Sequence, residues 1–315
     1  MIRSPPMPRA RLMCLLVILC FGAAPLAARP IATAPTQEPL QVVTTIPVLK
    51  DLVEQVGGPY VRVTSLLSGY ENEHTYAPKP SDLVAVHKAR LLFEVGLGLE
   101  VWTSSLVKTA GSSSLLIVTT SKGIGLIRDL PEHESSVHGV GEGESGNPHI
   151  WLDPENAATM MRHISEALIK TDPAHAVEFR TNQAAYLRKL DQLRTELNDR
   201  LRRVPDRRVI VHHPAWPYFA RRFGFQIVGT IQSQPASEPS ALQLRSLIAM
   251  IKKDRIKVIV SEIQLSQKFP DLLARETGAR VVVLTTLPGG LPHTETYLDM
   301  LRYNVLQLAN ALDSA

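Results

Sequence analysis

Cysteine is nearly absent from this sequence of 315 residues, which contains only Cys14 and Cys20. Both lie in an N-terminal segment that we predict to be removed. The remaining chain then has no thiol for a disulfide bond or for a metal. Any metal site in it must therefore use nitrogen and oxygen ligands.

The sequence also lacks an apolar run long enough to cross a membrane. Its N-terminal apolar run, residues 12–22, is shorter than the ~20 residues that a spanning helix needs. Arginines precede this run and a stretch rich in small residues, 23–28, follows it, which is typical of a secretory signal peptide. We predict a cleavable signal peptide over residues 1–28 and a periplasmic location. A lipid anchor at Cys20 is disfavoured, because the bulky Leu19 precedes it.

A strong charge of either sign is missing as well. The chain has 34 lysines and arginines against 30 aspartates and glutamates, and part of the net charge of +4 lies in the N-terminal segment. This balance predicts no nucleic-acid partner. Hydrophobic content of 44% and charged content of 20% are ordinary for a globular protein, and the length suits about two domains.

Short apolar and β-branched runs are predicted to form strands, four in each half of the chain. They are residues 42–48, 61–67, 91–95 and 115–119, then 209–211, 226–231, 258–260 and 281–284. Helical patterns occupy residues 47–56, 80–89, 241–251, 265–276 and 297–312. Strands that alternate with helices favour parallel sheets with helices on their faces.

A long helix is predicted between the two halves, over residues 172–204. Asp172 suits its N-cap, Pro173 suits its first position, and Pro205 ends it. We therefore predict an α/β protein of two lobes, each with a four-stranded parallel sheet flanked by helices, joined by one long rigid helix. The predicted lobes are residues 29–171, which include a flexible leader (29–39) and a polar loop (129–147), and residues 205–315.

Three histidines lie in short segments that favour a fixed side chain. His74 follows the second predicted strand, His149 lies beside apolar residues in Asn147-Pro148-His149-Ile150-Trp151, and His213 follows closely after the fifth strand. Ligands bind at the carboxyl ends of strands in open α/β sheets. Neutral imidazoles bind zinc well and other first-row metals acceptably. The arrangement predicts a metal site.

The same segments resemble the metal-ligand blocks of the zinc/manganese-binding proteins of ABC transporters. The first block is Glu73-His74-Thr75-Tyr76 with Pro80-Ser81-Asp82-Leu83, the second is Asn147 to Pro154, and the third is His213-Pro214-Ala215-Trp216. The resemblance runs from about Val42 to the C-terminus. It implies two α/β lobes joined by a rigid helix, and a metal ion bound in the cleft as cargo. It also implies a permease with its ATPase as partners, and we expect a monomer without enzymatic activity.

The resemblance makes His74, His149 and His213 the first three ligands. Many relatives place an aspartate after the last strand, where this chain has Thr285. The fourth position then falls to water, to Glu73 beside His74 or to Glu262 at the end of the seventh strand. Water and Glu73 rank above Glu262, which the family usually keeps for structure.

An imidazole-rich site without that aspartate favours Zn²⁺ over Mn²⁺, since manganese prefers additional carboxylate oxygens. A manganese-preferring protein of the same fold is the nearer alternative. A secreted zinc-dependent hydrolase also uses three ligands and a water, with Glu73 as a candidate base. The sequence has no His-Glu-x-x-His segment, which disfavours that class. An adhesin or structural protein would bind no metal tightly.

The polar loop over residues 129–147 contains four glutamates and two histidines, His133 and His138. It is a short counterpart of the histidine-rich loops in some zinc-binding relatives. Weak metal collection and a plain solvated loop both remain open for it.

Overall fold

Two four-stranded parallel β-sheets form the frame of the part of the chain that the structure describes. The computed structural model describes residues 1–2, 38–128, 146–232 and 237–313. Almost all of the predicted signal peptide, and residues 129–145 of the predicted polar loop, lie outside these ranges.

The first sheet has the spatial order β2-β1-β3-β4. Its strands are β1 (Leu40–Thr44), β2 (Val61–Ser65), β3 (Leu91–Glu94) and β4 (Leu116–Thr119), and its helices are α1 (Pro47–Gly57), α2 (Pro80–Lys88) and α3 (Thr103–Ala110). Together they are called the first lobe. The predicted strand over residues 42–48 ends early, because Pro47 takes the first position of α1. We did not predict α3.

The second sheet repeats this order as β6-β5-β7-β8. Its strands are β5 (Arg208–Val211), β6 (Gln226–Thr230), β7 (Val258–Glu262) and β8 (Arg280–Leu284), and its helices are α6 (Pro217–Phe223), α7 (Ala241–Asp254), α8 (Lys268–Thr277) and α9 (Tyr297–Asp313). Together they are called the second lobe. All five residues of β7 are buried, which explains why its sequence is a continuous apolar run rather than an alternating one.

Two long helices, α4 (Pro154–Thr171) and α5 (Ala176–Leu201), connect the lobes. The predicted linking helix began at Asp172, but residues Pro173–His175 form a 3-10 turn and α5 starts after it. The Asp172 carboxylate lies 2.6 Å from His175 Nδ1 and does not cap a helix. The 26 residues of α5 span about 39 Å, and its buried face consists of Phe179, Tyr186, Leu190, Leu193, Leu197 and Leu201.

One apolar core runs through both lobes. It contains Val42 and Leu52 of the first lobe, Leu190 of α5, and Phe219 and Leu301 of the second lobe. A smaller apolar cluster lies elsewhere in the second lobe, where Ile210, Ile259 and Leu247 pack with residues of α8. The lobes therefore share most of their buried apolar surface, which is the main stabilising contribution to a fold of this kind.

Polar contacts also connect the second lobe to the segment that precedes α4. Tyr297 of α9 donates from its hydroxyl to the carbonyl of Trp151 at 2.6 Å. Arg222 of α6 binds the fully buried Asp153 through two nitrogens, at 2.6 and 3.1 Å. Such a bidentate arginine–carboxylate pair fixes orientation as well as distance. The loops that follow the strands of each sheet are thereby held in a fixed relation.

Within the described ranges, no helix combines the length and the apolar character that crossing a membrane requires.

Candidate metal site

The predicted metal-site residues lie at the carboxyl ends of the strands or in the loops that follow. His74 lies between β2 and α2, His213 lies two residues beyond β5, and Glu262 is the last residue of β7. His149 directly precedes a 3-10 turn, Ile150–Leu152, that leads to the N-terminus of α4. In open α/β sheets this edge is where ligands bind, so the topology brings both lobes to one place.

The side chains of His74, His149 and His213 form one cluster, called here the three-histidine cluster. One nitrogen of each ring lies within 4.8 Å of the corresponding nitrogen of the others. His149 and His213 are buried, and His74 is partly exposed. The Nε2 atoms of His74 and His149 are 3.1 Å apart. Two nitrogens on one tetrahedral zinc, each ~2.0–2.1 Å from the ion, would be about 3.3 Å apart. The cluster is close to the size that a metal requires.

Burial keeps two of these rings neutral. It lowers the pKa of His74 to about 4, with the nearby His213 acting in the same direction. Burial, followed by His74 and His213, lowers the pKa of His149 well below its usual value. A neutral imidazole has a free lone pair, so both rings are ready to bind a cation at neutral pH.

His213 is held by a buried carboxylate. Its Nδ1 contacts Glu262 Oε2, and the other oxygen of Glu262 accepts a hydrogen bond from Trp216 Nε1 at 2.6 Å. Burial alone would lower the pKa of His213, but the charge and hydrogen bond of Glu262 outweigh it and raise that pKa. Because both oxygens of Glu262 are engaged, its position suits orienting His213, with Nε2 left for the cluster.

Glu73 lies on the other side of the cluster. Its Oε1 is 3.6 Å from His149 Nε2 and accepts a 3.4 Å hydrogen bond from the Thr286 hydroxyl. Burial raises the pKa of Glu73, and His213 opposes that shift. A buried carboxyl group with a raised pKa and a neighbouring imidazole is well placed to become a metal ligand, since a cation would favour its charged form.

Thr285, which stands where many relatives have aspartate, turns its side chain away from Glu73. Its hydroxyl donates to the carbonyl of Leu287 at 2.7 Å and accepts from Gln264 Nε2 at 2.8 Å. The next residue, Thr286, carries the hydroxyl that meets Glu73. The sequence did not distinguish these two threonines, because their orientation depends on how the chain leaves β8.

The structure brings His74, His149, His213 and Glu73 together and places Glu262 behind His213. Sequence reasoning gave no role to Asn147, whose side chain faces the His149 ring, or to Thr286. It included Trp216 in the third block and did not foresee its hydrogen bond to Glu262. The available signal was proximity alone, since Asn147 is two residues from His149 and Thr286 is two residues beyond β8.

Three comparisons relate the chain to proteins that are already described. The family of zinc-uptake complex component A, periplasmic, matches residues 42–311. The iron-binding protein YfeA of Yersinia pestis is 29% identical over 87% of this chain and 86% of that protein. The high-affinity zinc uptake system protein ZnuA of Bacillus subtilis is 30% identical over 87% of this chain and 88% of that protein.

A solved structure described as the crystal structure of ZnuA has the same fold. It is 30% identical to this chain, covers 87% of it and 99% of its own length, and superimposes with a TM-score of 0.76. The family match covers both sheets, the connecting helices and all three histidines of the cluster. The chain therefore belongs to the family of periplasmic component A proteins of zinc-uptake complexes.

Proposed function

We propose that this protein captures a divalent metal ion, Zn²⁺, outside the cytoplasmic membrane and delivers it to the permease and ATPase of an ABC importer. The three-histidine cluster at the meeting point of the two lobes carries this proposal. Family membership supports it, and two of the three rings are neutral at the pH of most growth media.

We assign His74, His149 and His213 as ligands through one ring nitrogen each. Glu73 or a water molecule takes the fourth position. We assign Glu262 the role of orienting His213, because its two oxygens already contact His213 and Trp216. Three imidazoles and one oxygen make a set that zinc favours over manganese.

The relatives differ in the metal that their names give. The Yersinia protein is named for iron and the Bacillus protein for zinc. Manganese and ferrous iron are therefore the competing cargoes, and both would gain from a Glu73 carboxylate in the site. A hydrolase is not favoured, because these relatives are named as binding and uptake proteins.

We further propose that residues 1–28 are a signal peptide that is cleaved without lipid attachment at Cys20. The released chain then works as a monomer, with lobes over residues 29–171 and 205–315 and the connecting helix over 172–204. Mass spectrometry of the protein secreted by an expression host measures the N-terminus directly. A lipidated mass that begins at Cys20 would overturn this proposal.

Metal binding is tested with protein that starts at residue 29. It is stripped with a chelator and titrated with zinc, manganese and ferrous iron in competition with a chromogenic chelator, and the metal in the recovered complex is counted by elemental analysis. We expect one zinc per chain, bound more tightly than the other two metals.

The matched variants are His74→Ala, His149→Ala and His213→Ala, with His87→Ala as the control. His87 lies on α2, is exposed, and its Nδ1 lies 2.8 Å from the carbonyl of Ala110. We expect the first three variants to lose tight binding and the control to retain it. Tight zinc binding in all three variants would contradict the site, and no tight metal in the unaltered chain would contradict the function.

A further inference from the structure

Asn147 connects two segments of the cluster that come from different parts of the chain. It is buried, with 2% of its surface exposed. Its side-chain oxygen faces His149, and its side-chain nitrogen donates to the carbonyl of Pro214 at 2.6 Å, the residue after His213. Its backbone carbonyl accepts from the hydroxyl of Tyr218 on α6 at 3.0 Å.

The partners of Asn147 fix which way its amide group points. The backbone N–H of His149 can only donate, and it lies 3.1 Å from Oδ1. The carbonyl of Pro214 can only accept, and it lies 2.6 Å from Nδ2. Both contacts require the oxygen on the His149 side, so the orientation follows from backbone chemistry.

This orientation decides the tautomer of His149. Nδ1 of His149 is 3.0 Å from the same Oδ1 atom, which has no proton to give. Nδ1 must therefore carry the proton and donate it, and Nε2 keeps its lone pair. That lone pair lies on the side of His74, whose Nε2 is 3.1 Å away.

The hydrogen bond from Asn147 to Pro214 reaches the second lobe next to His213. Pro214 follows His213 directly, and Tyr218 lies on α6 in the same segment. The Tyr218 hydroxyl also accepts from the backbone N–H of Ile127 in the first part of the chain at 3.0 Å. The hydrogen bonds of Asn147 with Pro214 and Tyr218 thus hold the His149 segment against the His213 segment.

We propose that Asn147 is the positioning residue of the metal site. It holds His149 in the Nδ1–H tautomer, presents Nε2 to the ion, and fixes the His213 segment across the lobes. This role rests on the proposed function, since it assumes that the cluster binds metal. Removing an outer partner of a metal-bound histidine typically lowers affinity by ~10–100-fold.

The test separates the two hydrogen bonds of the Asn147 side chain, the one with His149 and the one with Pro214. Asn147→Leu keeps the approximate volume and loses both bonds, and we expect zinc affinity to fall by about 10–100-fold. Asn147→Asp keeps the acceptor for His149 and loses the donor to Pro214. We expect it to restore the tautomer that Asn147→Leu loses. Asn182→Leu is the control, because Asn182 Nδ2 donates to the carbonyl of Val56 far from the cluster.

The decisive readout is the ¹⁵N spectrum of the imidazoles in metal-free protein, in which His149 is assigned by its absence from His149→Ala. We expect Nδ1–H in the unaltered chain and in Asn147→Asp, and a mixture or Nε2–H in Asn147→Leu. A purely structural role for Asn147 would lower stability without moving this signal. The unaltered chain suffices for the test if Asn147→Leu does not fold.

The outcomes distinguish this inference from the proposed function. Nε2–H on His149 in the unaltered chain, or an unchanged tautomer and affinity in Asn147→Leu, would overturn the role of Asn147 while metal capture stands. An unaltered chain that binds no metal would overturn metal capture. A tautomer change in Asn147→Leu would even then support control of the His149 ring by Asn147.

Discussion

The two lobes have the same strand order, and each buries a glutamate that contacts a residue one or two positions beyond the lobe's first strand. In the first lobe, Thr45 donates to Glu100 Oε1 at 2.7 Å. In the second, His213 contacts Glu262. Glu100 also accepts from the backbone N–H groups of Val95 and Gly96, whereas Glu262 accepts from the Trp216 indole.

The difference lies in what the partner of each glutamate can still do. The Thr45 hydroxyl donates its only proton to Glu100. This pair therefore connects the end of β1 to the loop between β3 and α3 and offers no nitrogen ligand. His213 has a second ring nitrogen, which remains for the cluster. The same buried contact is structural in one lobe and orients a proposed metal ligand in the other, and a single residue type separates the two uses.

The largest effect is expected when the His213–Glu262 pair is changed to resemble the Thr45–Glu100 pair. His213→Thr introduces a hydroxyl that can donate to Glu262, as Thr45 does to Glu100, but removes the proposed nitrogen ligand. We expect zinc affinity to fall by more than ~100-fold, beyond the usual effect of losing an outer partner. Competition titration measures it, and affinity within threefold of the unaltered chain would contradict the assignment of His213.

The pH dependence of stability tests the first lobe. Burial raises the pKa of Glu100 to about 7, partly offset by the hydrogen bonds from Thr45 and Val95. Its folded pKa exceeds the unfolded value, so its contribution to stability is complete below pH ~4.5 and is lost as pH rises through about 7. The size of the shift corresponds to about 3 kcal/mol.

We therefore compare the free energy of unfolding of the unaltered chain and Glu100→Gln, from pH 4.5 to 8, by chemical denaturation of metal-free protein. The unaltered chain should lose up to about 3 kcal/mol more across this range, because glutamine does not titrate. Parallel curves for the two proteins would show that Glu100 is already ionised at low pH in the folded state.

Glu262→Gln tests the buried glutamate of the second lobe. The amide has only one acceptor oxygen, so either Trp216 loses its acceptor or His213 Nδ1 faces a donor and its ring must protonate Nε2 instead. In both cases the orientation of His213 is disturbed, and we expect zinc affinity to fall by ~10–100-fold. Glu100→Gln is the matched control in the first lobe and should bind zinc as the unaltered chain does. Equal losses in both variants would mean that general loosening, rather than orientation of His213, governs affinity.

The smallest expected effect is that of Thr45→Val. It removes one donor from a buried carboxyl group that keeps two backbone donors, so we expect a loss of about 1–2 kcal/mol in the free energy of unfolding. Zinc affinity should be unchanged. A fall in affinity would show that the first lobe's glutamate contact also influences the cluster.

The frame of the protein could be predicted from sequence because its strands are short apolar and β-branched runs that alternate with helical patterns along the chain. All eight runs correspond to strands of the described chain, with ends shifted by a few residues. The shared strand edge then placed His213 and Glu262 close together. Such predictions need only the spacing of apolar residues and the order of strands and helices, and both can be read from the local sequence.

The helices between the lobes show where this reasoning fails. Asp-Pro occurs at Asp153 and at Asp172, and only the second was predicted to start a helix. In the structure Asp153 caps α4, accepting from the backbone N–H of Glu155, while Asp172 precedes a 3-10 turn. The apolar spacing of Met160, Met161, Ile164 and Leu168 would have revealed α4.

The finer features of the site could not be predicted, because they depend on distances between segments remote in the chain. Asn147 and Pro214 are 67 residues apart, and Thr286 and Glu73 are 213 apart. Which hydroxyl faces the cluster, and which amide atom faces His149, follow from packing of the two lobes rather than from any local pattern.

The apolar core that passes through both lobes has a consequence for how the molecule can be divided. Leu52, Leu190 and Leu301 belong to one cluster, so a cut between the lobes exposes apolar surface on both halves. We therefore expect that neither half folds when it is expressed on its own. Although its two sheets have the same strand order, we expect the chain to fold, and to tolerate engineering, only as one unit.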